Sequence, residues 1–214
     1  QKQGKALNGA SVAVQGFGNV GGAAARLFAR RGARIVAVSD VGGGVANPHG
    51  LNVPALVAHV ARTGSVAGLA ESEPITNAEI LETPCDILVP AALQGQITSA
   101  NAARVQAKMV VEGANGPTTP EGDAILHDRG ILLVPDVLAN AGGVTVSYFE
   151  WVQDIQSFFW SEDEVNERLG RILKRAFAEV WAAGEKHKVD LRTAAYIVGV
   201  ARVAEATLTR GIYP

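Results

Sequence analysis

The sequence predicts a doubly wound α/β fold, in which helices cover both faces of a parallel β-sheet. Short apolar, β-branched runs alternate with longer helical stretches through the first half of the 214-residue chain, which is typical of parallel sheets. Hydrophobic residues make up 48% of the sequence and charged residues 19%, so the chain can bury a sizeable core. A glycine-rich segment directly after the first apolar run indicates the tight strand-to-helix turn that such folds use.

Apolar runs before Pro135 predict the strands, and amphipathic or alanine-rich stretches predict the helices. The predicted strands, in chain order, span residues 11–15, 34–39, 86–89, 108–111 and 131–134. The predicted helices between them span residues 19–31, 51–63, 98–105 and 120–129. Because the predicted strands are short, nearly continuously apolar and separated by helices, we expect both faces of the sheet to be covered.

Beyond Pro135 the sequence predicts helices and no further strand. A capping box of Ser161 and Glu164 opens one helix, and we expect Gly184 to end it. Its apolar face is formed by Val165, Leu169, Ile172, Ala176 and Val180. Asp190 is expected to cap a last helix with an apolar seam of Ala194, Ile197, Ala201, Ala204 and Leu208. We expect this helical segment, about 139–214, to pack back on the sheet within a single domain of residues 1–214.

Composition argues against several classes of function. Lys and Arg number 19 against 21 Asp and Glu, so a nucleic-acid partner, which requires a basic face, is not expected. No apolar run has the roughly 18 residues of a membrane span, and the polar start Gln1–Lys5 does not resemble a signal peptide. The four histidines are scattered and Cys85 is the single cysteine, so we expect no disulfide and no metal site. A cytoplasmic protein is the expectation.

A G-x-G-x-x-G pattern follows the first predicted strand and opens the first predicted helix. In this context the first glycine makes the tight turn, the second admits a pyrophosphate, and the third lets helix and strand pack closely. The phosphates would bind the free N–H groups at the start of the helix. A purely structural strand–turn–helix junction is the alternative. The predicted coenzyme-binding residues are Gly16, Phe17, Gly18, Asn19, Val20 and Gly21.

Asp40 follows the second strand, 19 residues after Gly21. An acidic side chain there can accept hydrogen bonds from both hydroxyls of the adenosine ribose. It would repel a 2′-phosphate, and residues 41–44 contain no Lys or Arg to offset that repulsion. The sequence therefore favours NAD over NADP. The alternative is a loop aspartate that caps a turn.

Three motifs in order resemble those of glutamate dehydrogenases. They are the glycine pattern at 16–21, the segment VEGANGPTTP at 111–120 and the segment PDVLANAGGVTVSYFEW at 135–151. The segments RTAAY at 192–196 and GIYP at 211–214 resemble that family's C-terminus. Leucine and phenylalanine dehydrogenases share the first motif but not the long third one. The resemblance covers essentially the whole chain.

The resemblance implies a Rossmann-like sheet with one strand reversed and the reversible oxidative deamination of L-glutamate to 2-oxoglutarate and ammonia. It also implies that the chain is the coenzyme-binding half, complete at its C-terminus, without the N-terminal substrate domain. The lysine and aspartate that such enzymes use for proton transfer would belong to that domain, so no catalytic residue is expected here. We therefore expect NAD(H) binding without turnover, and a homo-oligomer, since the family forms hexamers.

The resemblance assigns further residues. Ala91 and Ala92, at a strand end, would leave space for the middle of the dinucleotide, although a tight turn explains them equally. Asn115 would bond the nicotinamide end, as would Asn140, which can also cap a helix. Val144 and Ser147, on one helix face, would border the substrate, with the hydroxyl reaching the distal carboxylate of glutamate; otherwise a mid-helix serine usually bonds its own backbone.

Two other functional hypotheses remain open. One is a non-catalytic NAD-binding regulatory subunit. The other is a dehydrogenase of leucine or phenylalanine, which Ser147 disfavours because a buried, unpaired hydroxyl costs about 1–3 kcal/mol. We expect Cys85 to be a packed thiol, and we expect the aromatic residues Trp151, Phe158, Phe159 and Trp160 to serve packing rather than base stacking.

Overall fold

The computed structural model of the chain describes residues 6–211. The expectations about Gln1–Lys5 and about residues 212–214 of the C-terminal motif lie outside these residues. The chain divides into two compact units, the first ending at Leu133 and the second beginning at Val134. We call them the sheet unit and the helical unit and describe each by itself.

The central feature is a seven-stranded sheet with the order β4-β3-β2-β1-β5-β6-β7. Its strands are β1 (Ser11–Gln15), β2 (Arg34–Asp40), β3 (Gly43–Ala46), β4 (Glu73–Ile75), β5 (Ile87–Pro90), β6 (Met109–Val111) and β7 (Leu132–Val134). Each of the five predicted strands is present, with both ends within one residue of the prediction. The mostly parallel α/β fold class is confirmed.

One strand is reversed. β1 pairs in parallel with β2 and β5, and β5 with β6, whereas β3 is antiparallel to both β2 and β4. The turn between β2 and β3 has only two residues, Val41 and Gly42, and so short a connection can join only antiparallel strands. The all-parallel prediction is therefore wrong at β3, and the single reversed strand agrees with what the resemblance implies.

Helices cover both faces of the sheet. They are α1 (Asn19–Arg30), α2 (Val53–Thr63), α3 (Glu79–Glu82) and α4 (Pro120–Asp128), with a 3₁₀ turn at Ala102–Arg104. One core layer joins Val12 and Val14 to Ala25 of α1 and Leu56 of α2. The other layer contains Ala13, Leu88 and Val110 with Ile80 of α3 and Leu126 of α4. Successive residues of β1 thus serve opposite layers, as the pleat requires.

The predicted helix at 98–105 is wrong except for the 3₁₀ turn Ala102–Arg104. Asn101 is the cause, because its side-chain oxygen accepts from the Thr98 amide at 2.8 Å and its amide group donates to the Gln96 carbonyl at 2.8 Å. Such local side-chain bonds compete with helical ones. Helix α2 also begins later than predicted, since Asn52 caps it through the Ala55 amide at 3.0 Å.

The helical unit contains α5 (Asp136–Ala139), α6 (Gly142–Gln156), α7 (Glu162–His187) and α8 (Leu191–Arg210), and no strand begins after Pro135 in the described chain. The capping box at Ser161 and the cap at Asp190 are confirmed. Gly184, however, does not end α7, because it lies inside the helix where a Cβ would be 3.7 Å from that of Ala194 on α8. Ala194 of the predicted seam is buried and Leu208 is exposed.

No helix of the described chain is long and apolar enough to cross a membrane.

The amino-terminal edge of the sheet contains an ionic anchor that predicts a pH-dependent stability. The Asp86 carboxylate accepts from Lys108 Nζ at 2.6 Å and from the amide and hydroxyl of Ser11, each at 2.9 Å. The Lys108 bond, followed by the Ser11 amide, holds the pKa of Asp86 well below its ordinary value. Since the folded pKa is lowered, this stabilisation is present above the unfolded pKa of about 3.9 and is lost as pH falls below it.

Replacing Asp86 with asparagine should lower the free energy of unfolding by about 1–3 kcal/mol at pH 7, because hydrogen bonds to a charged acceptor are lost. The loss should shrink progressively as the pH falls below about 4, the pKa of an unfolded aspartate. Urea unfolding at several pH values measures it. The matched control is Asp128→Asn, at the exposed end of α4, which should change stability by less than about 0.5 kcal/mol. An equal loss for D86N at pH 7 and at pH 3 would contradict this assignment.

Candidate functional site

The glycine-rich segment lies at the carboxyl edge of the sheet, between β1 and α1. Gly16 has φ +91°, and a Cβ on it would lie 2.9 Å from the Ala91 carbonyl oxygen. A Cβ on Gly21 would lie only 1.8 Å from the Gly16 carbonyl oxygen and 3.2 Å from Val14 Cγ1. These two glycines are therefore required by the packing of loop, strand and helix, as the motif predicts.

Gly18 differs from the other two glycines of the motif. A Cβ on Gly18 would meet no atom within 4 Å, and its backbone is extended, with a φ of −78° that lies outside the left-handed region that favours glycine. Neither a close contact nor a left-handed φ within the described chain calls for glycine at this position. The absence of a side chain leaves open space in front of the first turn of α1, which is the space that a pyrophosphate needs.

The first turn of α1 also has the electrostatics of an anion site. Gly18 is its N-cap, no side chain caps its free amides, and no acidic residue lies in the first turn. The uncapped N–H groups and the positive end of the helix dipole both favour a negatively charged ligand. The 12-residue length of α1 gives it a full dipole.

The loops that follow β5 and β6 are fastened to the glycine loop. The Ala91 amide donates to the Gln15 carbonyl at 2.8 Å, and the Gly113 amide donates to the Pro90 carbonyl at 3.0 Å. A Cβ on Gly113 would lie 3.0 Å from that of Ala91 and 3.5 Å from Val20 Cγ1. The structure thus brings Val20, Ala91 and Gly113 together at the carboxyl edge, where open α/β sheets bind ligands.

The other predicted residues of these two loops lie on the surface of the same edge. Ala92 and Asn115 are exposed. The Gly95 amide donates to the Gly116 carbonyl at 2.8 Å, so the turn that carries Asn115 is tied to the loop after Ala92. Within the motif, Phe17 packs on the α1–α2 side of the core, while Asn19 is exposed at the start of α1.

Asp40 ends β2 beside the glycine loop, because Gln15 and Ser39 are partners in the parallel register. Its carboxylate accepts hydrogen bonds from the Gly42 amide at 2.7 Å, the Ser65 hydroxyl at 3.0 Å and the Val66 amide at 2.6 Å. The placement fits the predicted ribose acceptor. Its three hydrogen bonds, however, are those expected of the alternative interpretation, in which Asp40 is a loop aspartate that caps a turn.

Asn140, Val144 and Ser147 belong to the helical unit. The N-cap of α6 is Ala141 and Asn140 is the C-cap of α5, so the alternative role of Asn140, as the N-cap of the following helix, is wrong. Val144 and Ser147 are both exposed on α6. The Ser147 hydroxyl makes no hydrogen bond to any described residue, whereas the neighbouring Thr145 hydroxyl donates to the Ala141 carbonyl at 2.7 Å. The backbone-bonded alternative is therefore not the state of Ser147.

The residues predicted to have no chemical role differ in how far they are buried. Cys85 is buried, and burial is the main factor that raises the pKa of its thiol to about 12, so it is a packed thiol as predicted. Trp160 packs edge-on against Phe149 at 5.5 Å and lies under the Arg168 guanidinium at 4.1 Å. Trp151, Phe158 and Phe159 are more than half exposed. No cluster of metal-ligating side chains occurs among residues 6–211.

Two polar residues at the carboxyl edge were not predicted. Gln15 is buried, and its Nε2 donates to Gln96 Oε1 at 2.8 Å, while its own Oε1 has no partner among the described residues. Ser65 bonds Asp40 from a loop 25 residues further along the chain. Gln15 precedes the motif directly and was accessible to sequence reasoning, but no spacing rule connects Ser65 with Asp40.

Known proteins match the chain along nearly all of its length. Residues 1–211 match the sequence profile described as Glutamate/Leucine/Phenylalanine/Valine dehydrogenase. A glutamate dehydrogenase of Thermotoga maritima is 59% identical over 206 residues, which are 96% of this chain and 50% of that protein. A cryptic catabolic NAD-specific glutamate dehydrogenase of Bacillus subtilis is 51% identical over 211 residues, 99% of this chain and 49% of that protein.

Solved structures agree. The hetero-hexameric glutamate dehydrogenase of Thermus thermophilus, in its Leu-bound form, superimposes with a TM-score of 0.93 at 40% identity, covering 100% of this chain and 50% of that one. This chain thus spans about half the length of the proteins it matches. The resemblance stated on the motifs is confirmed, and the chain belongs to the glutamate/leucine/phenylalanine/valine dehydrogenase family.

Proposed function

We propose that this chain is the coenzyme-binding part of an NAD-linked glutamate dehydrogenase, which interconverts L-glutamate with 2-oxoglutarate and ammonia. The family membership, the glutamate dehydrogenases among its relatives, and the glycine loop at the carboxyl edge support the proposal. In this proposal residues 1–214 form the coenzyme domain, with the helical segment from about residue 139 as part of it. The proton-transferring lysine and aspartate would lie in the part of the relatives that this chain does not match.

The open space at Gly18 carries the proposal. A fold that needed only its own packing would have a reason for glycine at Gly16 and Gly21 but none at Gly18. A pyrophosphate that approaches the uncapped start of α1 supplies the missing reason, since any side chain would stand in its way. The residues present therefore fit a dinucleotide.

Each residue then has a defined role. The α1 amides and Gly18 hold the pyrophosphate, Asp40 accepts from the adenosine ribose, and the small side chains of Ala91 and Ala92 leave room for the middle of the molecule. Bound NAD supplies the hydride acceptor of the reaction. Asn115 and Asn140 bond the nicotinamide end, as the resemblance assigns. No side chain of this chain transfers a proton in the reaction.

In this proposal Val144 and Ser147 border the substrate and determine which amino acid is accepted. Ser147 has an exposed hydroxyl with its bonding capacity unused, suited to the distal carboxylate of glutamate. A pocket for leucine or phenylalanine would leave that hydroxyl buried and unpaired at a cost of about 1–3 kcal/mol. Glutamate is accordingly the proposed substrate, ahead of the branched or aromatic amino acids of other family members.

NAD is proposed rather than NADP because an acid ends β2 and residues 41–44 contain no cation. Relatives from Bacillus subtilis and Staphylococcus aureus are named NAD-specific. We further propose a homo-oligomer, as the resemblance implies. From the composition we propose a cytoplasmic protein with neither nucleic acid nor membrane as a partner.

An equilibrium titration of the 214-residue chain with NADH, and separately with NADPH, tests the proposal. We expect NADH to bind at least about tenfold more tightly, equivalent to roughly 1.4 kcal/mol, because a 2′-phosphate would face Asp40. We also expect no oxidation of NADH when 2-oxoglutarate and ammonia are added to the pure chain. Binding of neither coenzyme would overturn the proposal, and measurable turnover would overturn the assignment of catalysis to residues outside this chain.

A non-catalytic NAD-binding regulatory subunit is the second candidate. It is favoured by one observation, that a match with a TM-score of 0.93 is named as a hetero-hexamer and hence contains more than one kind of chain. Such a subunit would bind NAD(H) equally well. The two candidates differ in the activity of the full-length protein, since a glutamate dehydrogenase predicts glutamate-dependent reduction of NAD and a regulatory subunit predicts none.

A further inference from the structure

The Asp40 carboxylate has fewer free hydrogen-bond acceptor positions for a ligand than its place at the end of β2 suggests. An ionised carboxylate offers about four acceptor positions, two on each oxygen. Oδ1 accepts from both the Gly42 amide and the Ser65 hydroxyl, and Oδ2 accepts from the Val66 amide. Oδ1 is therefore fully used and one position is left on Oδ2. A ribose with two hydroxyls cannot bond both oxygens while Ser65 keeps its bond.

Ser65 is held in place by its own loop. Gly64, with φ +78°, ends α2 and turns the chain toward Asp40. The side chain of Val66 is fully buried in the core. The Ser65 Oγ accepts from the Ala67 amide at 3.1 Å while it donates to Asp40. The loop would thus stay in position through Val66 even if the Ser65 hydroxyl gave up its bond.

The hydroxyl also lies directly over the turn between β2 and β3. A Cβ on Gly42 would be 2.6 Å from Ser65 Oγ and 3.2 Å from Asp40 Oδ1. The Ser65 hydroxyl and the Asp40 carboxylate are therefore parts of one small polar cluster at the end of β2. Ser65 is half-buried, so its hydroxyl can reach both Asp40 and a ligand beside it.

We propose that Ser65 is a positioning residue that sets coenzyme specificity through Asp40, weakening the preference for NAD(H) over NADP(H). This inference rests on the proposed function. While Ser65 donates to Oδ1, only one ribose hydroxyl bonds the carboxylate. Three donors also disperse its charge, which reduces the repulsion of a 2′-phosphate. A serine hydroxyl that rotates away from Oδ1 can itself donate to a phosphate oxygen.

The test is the ratio of the NADPH and NADH dissociation constants, measured on the 214-residue chain and on Ser65→Ala. Removing the hydroxyl frees Oδ1 for the second ribose hydroxyl and leaves the 2′-phosphate without a donor. We expect the ratio to rise about tenfold, the effect of one hydrogen bond to a charged group. A loss of loop structure alone would weaken both coenzymes together and leave the ratio unchanged.

Three further variants make the result decisive. Ser65→Thr keeps the hydroxyl and should therefore keep the ratio of the unmodified chain. Ser65→Cys has only a weak donor and should raise the ratio as alanine does, so it replaces S65A if that variant does not fold. The matched control is Ser72→Ala, whose hydroxyl donates to the Leu69 carbonyl at 2.7 Å and not to Asp40. An unchanged or lower ratio in both S65A and S65C overturns the inference and leaves the proposed function intact. An unmodified chain that binds neither coenzyme overturns both.

Discussion

Replacing Gly21 with alanine should destabilise the chain by about 3 kcal/mol and abolish NADH binding. The added Cβ would lie 1.8 Å from the Gly16 carbonyl oxygen. A backbone oxygen cannot rotate away, so α1 has to move off β1 and the glycine loop has to change shape. Thermal unfolding should show a melting temperature lower by roughly 10 °C, given the usual scaling for a chain of this length. A titration with NADH measures the second effect.

Gly22, the next residue, is the matched control. A Cβ there would lie 3.5 Å from the flexible Arg26 guanidinium and 3.5 Å from the Phe17 carbonyl oxygen, which are ordinary contacts. Because alanine is a better helix former than glycine, Gly22→Ala should stabilise α1 by up to about 1 kcal/mol. Equal stabilities for G21A and G22A would mean that α1 and β1 are not packed as closely as described.

A strand or a helix is predictable from the sequence where one local signal determines it. The apolar runs at 11–15 and 34–39, with a helical stretch between them, predict strands close to the observed β1 and β2. Strands that are covered on both faces need such continuous apolar runs. The capping box at Ser161 predicted the start of α7, since both of its hydrogen bonds join residues three apart. The roles of Gly16 and Gly21 follow from the motif for the same reason.

Elements that depend on contacts between distant segments are not predictable in this way. β3 and β4 are short, and β3 begins with two glycines, so neither has the apolar run that indicates a strand. Their pairing arises from the two-residue turn after Asp40 and from neighbours in the sheet. Gly184 appeared to be a helix end because glycine often has that role. It is instead a point of close approach to α8, which is visible only once both helices are placed.

The candidate site shows the same division. The position of Asp40 at a strand end was predictable, but its three internal hydrogen bonds were not, since two come from Ser65 and Val66 in a loop after α2. The sequence predicts an acid where a ribose would bind. It does not show how many acceptor positions of that carboxylate are occupied by hydrogen bonds within the chain. The proposed coenzyme selectivity therefore depends on the hydrogen-bond partners of Asp40 as well as on the presence of an acid at that position.

Replacing Gly18 with valine should leave the fold intact and lower the affinity for NADH by about 100-fold or more. Nothing in the chain lies within 4 Å of the new Cβ, and an extended N-cap accepts a β-branched residue, so the stability cost is that of a poorer cap, about 1 kcal/mol. The side chain would fill the space in front of the α1 amides. Losing two charge-assisted bonds to a phosphate there, each worth about 1.5–3 kcal/mol, accounts for the expected loss.

The control for this change is Gly170→Val, since Gly170 also has open space around it but lies inside α7. That variant should bind NADH as the unmodified chain does. Circular dichroism and thermal unfolding establish that G18V is folded, and the titration then isolates binding. If folded G18V bound NADH normally, the open space at Gly18 would not be where the pyrophosphate lies, and the glycine would need another explanation. If G18V lost NADH binding while G170V kept it, the result would support the pyrophosphate as the reason for glycine at position 18, where packing does not require one.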